Sequence, residues 1–235
     1  MSEIKASSKH KLAALLLVVF LLQGCAWFSS KKEEPPAEEL AKQGLEFYNT
    51  GSYYKARDTF KIIKERFPFS RFSLLAELKA ADCEYYLENF PEAGELYKEF
   101  EKNHPSNEAV PYVVFQIGRS HYAQIGSVDR DTTQAGEAIK DLGRLVRTFP
   151  KSSYVTEANV LAGRARTFLA GHELYVAEFY FRTKRYLGAK GRAEFLLANY
   201  ADTPKAAAAK ELLSKIAALP PAELARKKSK FLELY

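Results

Sequence analysis

The chain has 235 residues, 47% of them hydrophobic and 27% charged, with a formal net charge of +6. That length suits one large domain or a short repeat array. So small a basic excess, spread over charges of both signs, gives no footprint of nucleic-acid binding, and two cysteines cannot build a disulfide framework.

Residues 1–24 read as a signal peptide. Lys5, Lys9 and Lys11 precede an uncharged apolar run over residues 12–22, too short to span a bilayer. The stretch Leu21-Leu22-Gln23-Gly24-Cys25 resembles a bacterial lipoprotein box. The resemblance implies that Cys25 is lipidated and becomes the first mature residue. An ordinary secretory signal beside an incidental cysteine is the alternative. No cofactor is expected apart from this covalent lipid. No later stretch reaches 18 apolar residues, so the lipid alone would hold the protein to its membrane. Ala26, rather than Asp, follows the cysteine, which in the lipoprotein class favours the outer membrane. Without the three Lys and one Glu of residues 1–24 the total of +6 falls to +4. Cys83 sits between Asp82 and Glu84 and is expected to pack as a small apolar residue.

Residues 25–37 form the lipidated cysteine and a linker. Ser29-Ser30-Lys31-Lys32-Glu33-Glu34-Pro35-Pro36 cannot make a core and reads as a tether. Its reach, ~40 Å fully extended, would keep the folded part near the bilayer. Trp27 and Phe28 suit the headgroup region.

Residues 38–235 read as an all-α repeat domain, with N-terminal repeats over 38–150 and C-terminal repeats over 151–235. Apolar residues recur every three or four positions, and Pro and Gly fall at segment ends. Segments close at Phe67-Pro68, His104-Pro105, Phe149-Pro150 and Tyr200-Ala201. Counting back, Gly44, Ala81, Gly118 and Ala177 hold one small-residue place. Ala56, Ala93, Ala138 and Ala189 hold a second. Phe60, Tyr97 and Leu142 follow the second place, with Ala193 in the fourth segment. Small residues let paired helices approach closely, and the bulky residue fills the space between pairs. This pattern resembles the tetratricopeptide repeat and implies a superhelix of antiparallel helix pairs, about five repeats with the last degenerate. The third segment carries an insertion over residues 124–134, where Gly126 and Asp129-Arg130-Asp131 mark a loop. Residues 154–182 predict one long helix, 205–219 a further helix, and 222–234 a last one.

Catalytic patterns are missing from the sequence. His172-Glu173 starts like a zinc-protease helix, but Val176 stands where the second His would be. Asp129 and Asp131 lack the rest of a calcium loop. The chain is therefore expected not to be an enzyme and to bind no metal. The array instead offers a surface. Template positions aim Tyr48, Asp82, Tyr85, Tyr86, Tyr112, Arg119 and Tyr122 at the concave side, where Tyr gives contact area at low entropic cost. Plain inter-helix packing would use several of the same tyrosines. Of the adjacent Tyr85 and Tyr86, at most one points straight into the groove.

Several segments go beyond the generic repeat. They are Arg66-Phe67-Pro68-Phe69-Ser70-Arg71-Phe72-Ser73, Val128-Asp129-Arg130-Asp131, and Leu145-Val146-Arg147-Thr148-Phe149-Pro150-Lys151-Ser152-Ser153-Tyr154. Tyr175-Val176-Ala177-Glu178-Phe179-Tyr180 and Asn199-Tyr200-Ala201-Asp202-Thr203-Pro204 belong with them. Together with the lipobox, they resemble the BamD family of the outer-membrane β-barrel assembly machinery. The resemblance implies a scaffold anchored at the periplasmic face of the outer membrane. Its C-terminal repeats would dock on a POTRA domain of a BamA-like barrel protein, with other Bam lipoproteins as further partners. Its N-terminal groove would receive C-termini of unfolded outer-membrane proteins. The family's POTRA-contacting arginine falls on Arg192, within Gly191-Arg192-Ala193-Glu194. The competing readings are a pilotin-like or envelope-coordinating repeat lipoprotein and a subunit of a peptidoglycan-active enzyme.

Overall fold

A computed structural model of the chain describes residues 35–224. The signal peptide, Cys25, most of the linker and residues 225–235 lie outside the described residues. The helical unit opens at Ala37, one residue before the expected start. All regular structure in the described residues is helical: α1 (Ala37–Asn49), α2 (Tyr53–Arg66), α3 (Ser73–Tyr86), α4 (Phe90–Asn103), α5 (Val110–Ala123), α6 (Thr133–Thr148), α7 (Val155–Arg182), α8 (Tyr186–Asn199), α9 (Ala206–Ala217) and the single turn α10 (Pro221–Leu224). Each helix from α1 to α9 packs chiefly on its neighbours in sequence, as a solenoid of helix pairs requires. Of the last helix expected over 222–234, residues up to Leu224 are described and helical, and the remainder lies outside them.

The small-residue template is the packing rule of these pairs. Ala56, Ala81, Ala93, Ala138, Ala177 and Ala189 are fully buried. A Cβ on Gly44 would stand 2.7 Å from the Phe60 ring, and one on Gly118 would stand 2.7 Å from Leu142. Phe60, Tyr97 and Leu142 are fully buried as the wedges between helices.

Two kinds of turn repeat with the helices. After α1, α3 and α7 the chain takes a left-handed residue, Gly51, Glu88 and Lys184, at φ of 75°, 62° and 58°. In each case the next N–H reaches back five residues: Ser52 to the Phe47 carbonyl, Asn89 to Glu84, and Arg185 to Tyr180. This is the Schellman closure of a helix end. The turns between pairs form a second series. Phe67, His104, Phe149 and Tyr200 share φ between −127° and −136°. Three of them precede Pro, which bars the helical region to the residue before it. Tyr200 reaches the same geometry before Ala201.

The long α7 joins two cores. Its first half contributes Ala158 and Leu161 to the core of α5 and α6. Its second half contributes Ala170, Leu174 and Ala177 to the core of α8 and α9. The insertion between α5 and α6 lies against the middle of α7. His172 Nδ1 donates to the Val128 carbonyl at 2.6 Å. A Cβ on Gly171 would touch Val128 at 3.5 Å. Asp131 closes this loop by accepting from the Thr133 hydroxyl at 2.8 Å and its N–H at 3.1 Å, which sets the start of α6.

Candidate groove and partner surface

Tyrosines of α1, α2 and α3 meet in one ring cluster. Tyr53 and Tyr86 stack with centroids 4.7 Å apart, and Tyr48 stands edge-on to both. Tyr85 meets Tyr86 at 5.9 Å and Phe90 at 5.2 Å. Tyr86 is exposed, whereas Tyr85 is half-buried. The adjacent pair thus divides as helical geometry demands. Lys79 Nζ lies 4.3 Å above the Tyr48 ring and the Arg119 guanidinium 4.7 Å above the Tyr85 ring. Both are cation–π contacts.

Asp82 departs from its expected place. It is fully buried and lines no open surface. Its Oδ2 accepts from Lys79 Nζ at 2.7 Å, and its Oδ1 accepts from the hydroxyls of Tyr97 and Tyr112, each at 2.7 Å. A buried carboxylate needs such donors, and three from α3, α4 and α5 satisfy this one. Gln116 continues the chain of bonds, donating to the Tyr112 hydroxyl at 2.7 Å while accepting from Arg119 Nη1 at 3.0 Å. The carboxylate lies beneath the surface and fixes Lys79, Tyr97 and Tyr112 around it. Tyr122, half-buried, packs on the core of α5, α6 and α7, apart from the ring contacts of the cluster.

Burial, then the charge of Asp82, raises the hydroxyl pKa of Tyr48, Tyr97 and Tyr112 well above the ordinary tyrosine value, so they remain donors. Burial, with Asp82 next, pushes the Cys83 thiol up to about 12. Cys83 is therefore inert packing rather than a nucleophile.

Sequence reasoning missed Lys79, Tyr53, Gln116, Phe115 and Tyr154. Phe115 and Tyr154 stack at 5.0 Å, and Tyr154 also meets Tyr112 at 5.6 Å. Beside them opens a depression of about 780 Å³, lined by Leu78, Pro111, Tyr112, Phe149 and Tyr154, with Glu108 and Lys151 among its polar residues. Spacing carried a signal for two of the missed residues. Lys79 stands one turn before Asp82, and Gln116 one turn after Tyr112.

Arg192 lies apart from the groove, on α8. Its side chain is 45% exposed and its Nη1 donates to both Glu173 oxygens, at 3.0 and 3.2 Å. Glu173, on α7, is largely covered, and its carboxylate holds the exposed guanidinium in place. Helix α8 runs unbroken through Gly188 and Gly191. The Tyr180 ring fills the space over Gly188, at 3.1 Å from where its Cβ would stand.

Among the described residues no helix is long and apolar enough to cross a membrane. The family model described as outer membrane lipoprotein, YfiO, matches residues 33–231. The outer membrane protein assembly factor BamD of Haemophilus influenzae is 29% identical over 83% of this chain and 78% of its own length. Those of Xylella fastidiosa and Vibrio cholerae are 26% and 24% identical, over 83% and 84% of this chain and 71% and 86% of their own. Matched across nearly its whole helical domain, the chain belongs to the YfiO family of outer membrane lipoproteins.

Proposed function

We propose that the protein is a non-enzymatic scaffold for outer-membrane protein assembly, anchored at the periplasmic face of the outer membrane by a lipid on Cys25. The names of its relatives supply the process. The observation that carries the reading is the presence of two chemically distinct surfaces on one solenoid. The tyrosine and cation groove of α1, α3 and α5 suits an extended peptide, which offers side chains at regular intervals. It would take the C-termini of unfolded outer-membrane proteins. The Arg192 face suits a folded partner with a carboxylate at its contact, since a guanidinium binds carboxylate in a planar fork. That partner would be a POTRA domain of a BamA-like barrel protein, with other Bam lipoproteins in the same assembly. The long α7 shares a core with each half of the array and so ties the two surfaces together.

Affinity purification of the lipoprotein from solubilised envelopes tests the assembly. Recovery of a BamA-like barrel protein is expected, and recovery of a secretin or a cell-wall enzyme instead would overturn the reading. Arg192→Glu places like charge against Glu173 and should release the barrel partner. The charge-swapped pair Arg192→Glu with Glu173→Arg restores the intrachain bond. It should fold normally and still fail to bind, because the partner reads the sign of residue 192. Full binding by the swapped pair would remove Arg192 from the interface.

A further inference from the structure

We propose that Arg119 and the depression beside Tyr154 are the two ends of one subsite, which takes the free carboxylate of a peptide chain end and a large apolar side chain a few residues upstream of it. This rests on the reading that the groove receives C-termini. The first observation is a charge left over. Four arginines among the described residues are half-buried: Arg57, Arg119, Arg144 and Arg166. Arg57, Arg144 and Arg166 each pair with a carboxylate, from Glu84 or Asp58, Glu101, and Asp202 respectively. Arg119 does not. Its Nη1 bonds the neutral Gln116, and its plane rests 4.7 Å above the Tyr85 ring and 5.6 Å from Phe115. Asp82 cannot neutralise it, because Lys79, Tyr97 and Tyr112 already occupy that carboxylate and two neutral groups stand between. A half-buried guanidinium held by aromatic rings, with a positive charge unmatched by any carboxylate among the described residues, is built to receive an anion from outside.

The second observation is the apolar depression at the other end of the same helix face. Tyr112, at its edge, and Arg119 are seven residues apart on α5, two turns or about 10 Å along the axis. Tyr154 stacks on the buried Phe115, whose ring also lies 5.6 Å from the Arg119 guanidinium, so ring contacts connect the two ends. An extended chain advances ~3.3 Å per residue, so a side chain seated in the depression belongs about three residues before the carboxylate on Arg119.

The test measures fluorescence anisotropy of labelled decapeptides on the full-length lipoprotein in nanodiscs. One peptide carries Tyr fourth from its end and a free C-terminus, and its twin is C-terminally amidated. The free acid should bind about tenfold more tightly than the amide, as one charge-assisted contact implies. Arg119→Gln should abolish the difference, and Arg119→Lys should keep part of it. Moving the Tyr one position along the peptide should weaken binding to the wild type. Equal binding of acid and amide to the wild type overturns the inference and leaves the groove reading intact. An amide that regains affinity through an added Asp also overturns the chain-end assignment, giving Arg119 to acidic side chains. Binding of neither peptide would overturn the groove reading itself. Melting curves of the Arg119 variants that match the wild type separate these outcomes from misfolding.

Discussion

Leu142 fills the space that a Cβ on Gly118 would need, with its Cγ and Cδ2 each 2.7 Å from that point and its backbone nitrogen at 3.2 Å. Leu142 is fully buried and cannot swing away without vacating the core of α5, α6 and α7. Gly118→Ala should therefore destabilise by about 1–2 kcal/mol, overpacking outweighing the helical preference for Ala. Gly136, in α6, has open space around the same point. Gly136→Ala should stabilise by about 0.5–1 kcal/mol. Thermal melts should move in opposite directions, by about 2–4 °C per kcal/mol in a domain of this size. A shared direction would mean that helix propensity, not close approach, sets the first of the two small positions.

The repeat was legible because its cause is local and recurs. Small residues at fixed distances before a Pro prescribe close pairs and a stop, and Gly44, Ala81, Gly118 and Ala177 occupy their places as that rule requires. The long α7 was legible for the same reason, since residues 155–182 contain no Pro and keep an apolar face. The aromatic and cationic cluster was legible in part. Tyr48, Tyr85, Tyr86, Tyr112 and Arg119 follow from helix phase alone. The depth of Asp82 does not, because three donors from three helices decide whether a carboxylate is buried, and pairwise spacing reveals only Lys79 among them. Spacing marks Tyr154 only as a helix start, and its stacking on Phe115 depends on how the turn after α6 folds back.

Glu88 and Lys184 occupy left-handed positions that Gly51 fills in the first repeat. An L side chain there costs about 1–2 kcal/mol, part of which Gly would return as lost chain entropy. Glu88→Gly and Lys184→Gly should each stabilise by up to about 1 kcal/mol, although glycine normally weakens helical proteins. Gly51→Ala should destabilise by about 1 kcal/mol despite the empty space around it, which isolates the backbone as the cause. Urea midpoints of the three variants measure this. Destabilisation by both Gly substitutions would show that the Glu88 and Lys184 side chains contribute more than their backbone strain.

Asp82 ties α3 to α4 and α5 through the Tyr97 and Tyr112 hydroxyls. Asp82→Ala strands both hydroxyls and leaves Lys79 without its carboxylate, which should cost about 3–5 kcal/mol. Asp82→Asn keeps an acceptor and should cost less than half as much. Equilibrium unfolding in urea gives both values. Near-wild-type stability of Asp82→Ala would mean that water replaces the carboxylate and that the buried Asp82 network is not a fixed element.

Alkaline pH probes the same cluster from the other side. Tyr97 and Tyr112 have pKa values raised above the ordinary tyrosine value of 10.0, first by burial and then by Asp82. A group whose folded pKa is raised contributes stability that is whole below the unfolded value and is lost as pH climbs above it. Below pH 10 neither state ionises and stability is flat in these two groups. Above it the unfolded chain releases the two protons and the folded chain keeps them, so each tyrosine lowers stability by about 1.4 kcal/mol per pH unit. Urea unfolding between pH 9 and 11.5 should therefore steepen past pH 10. Tyr97→Phe or Tyr112→Phe should each flatten the slope by about that amount, since the phenol is then missing from both states. Absorbance at the phenolate band should rise for the two groups only as the protein unfolds. An unchanged slope in both variants would mean that these hydroxyls ionise freely in the folded state, and that Asp82 does not hold them.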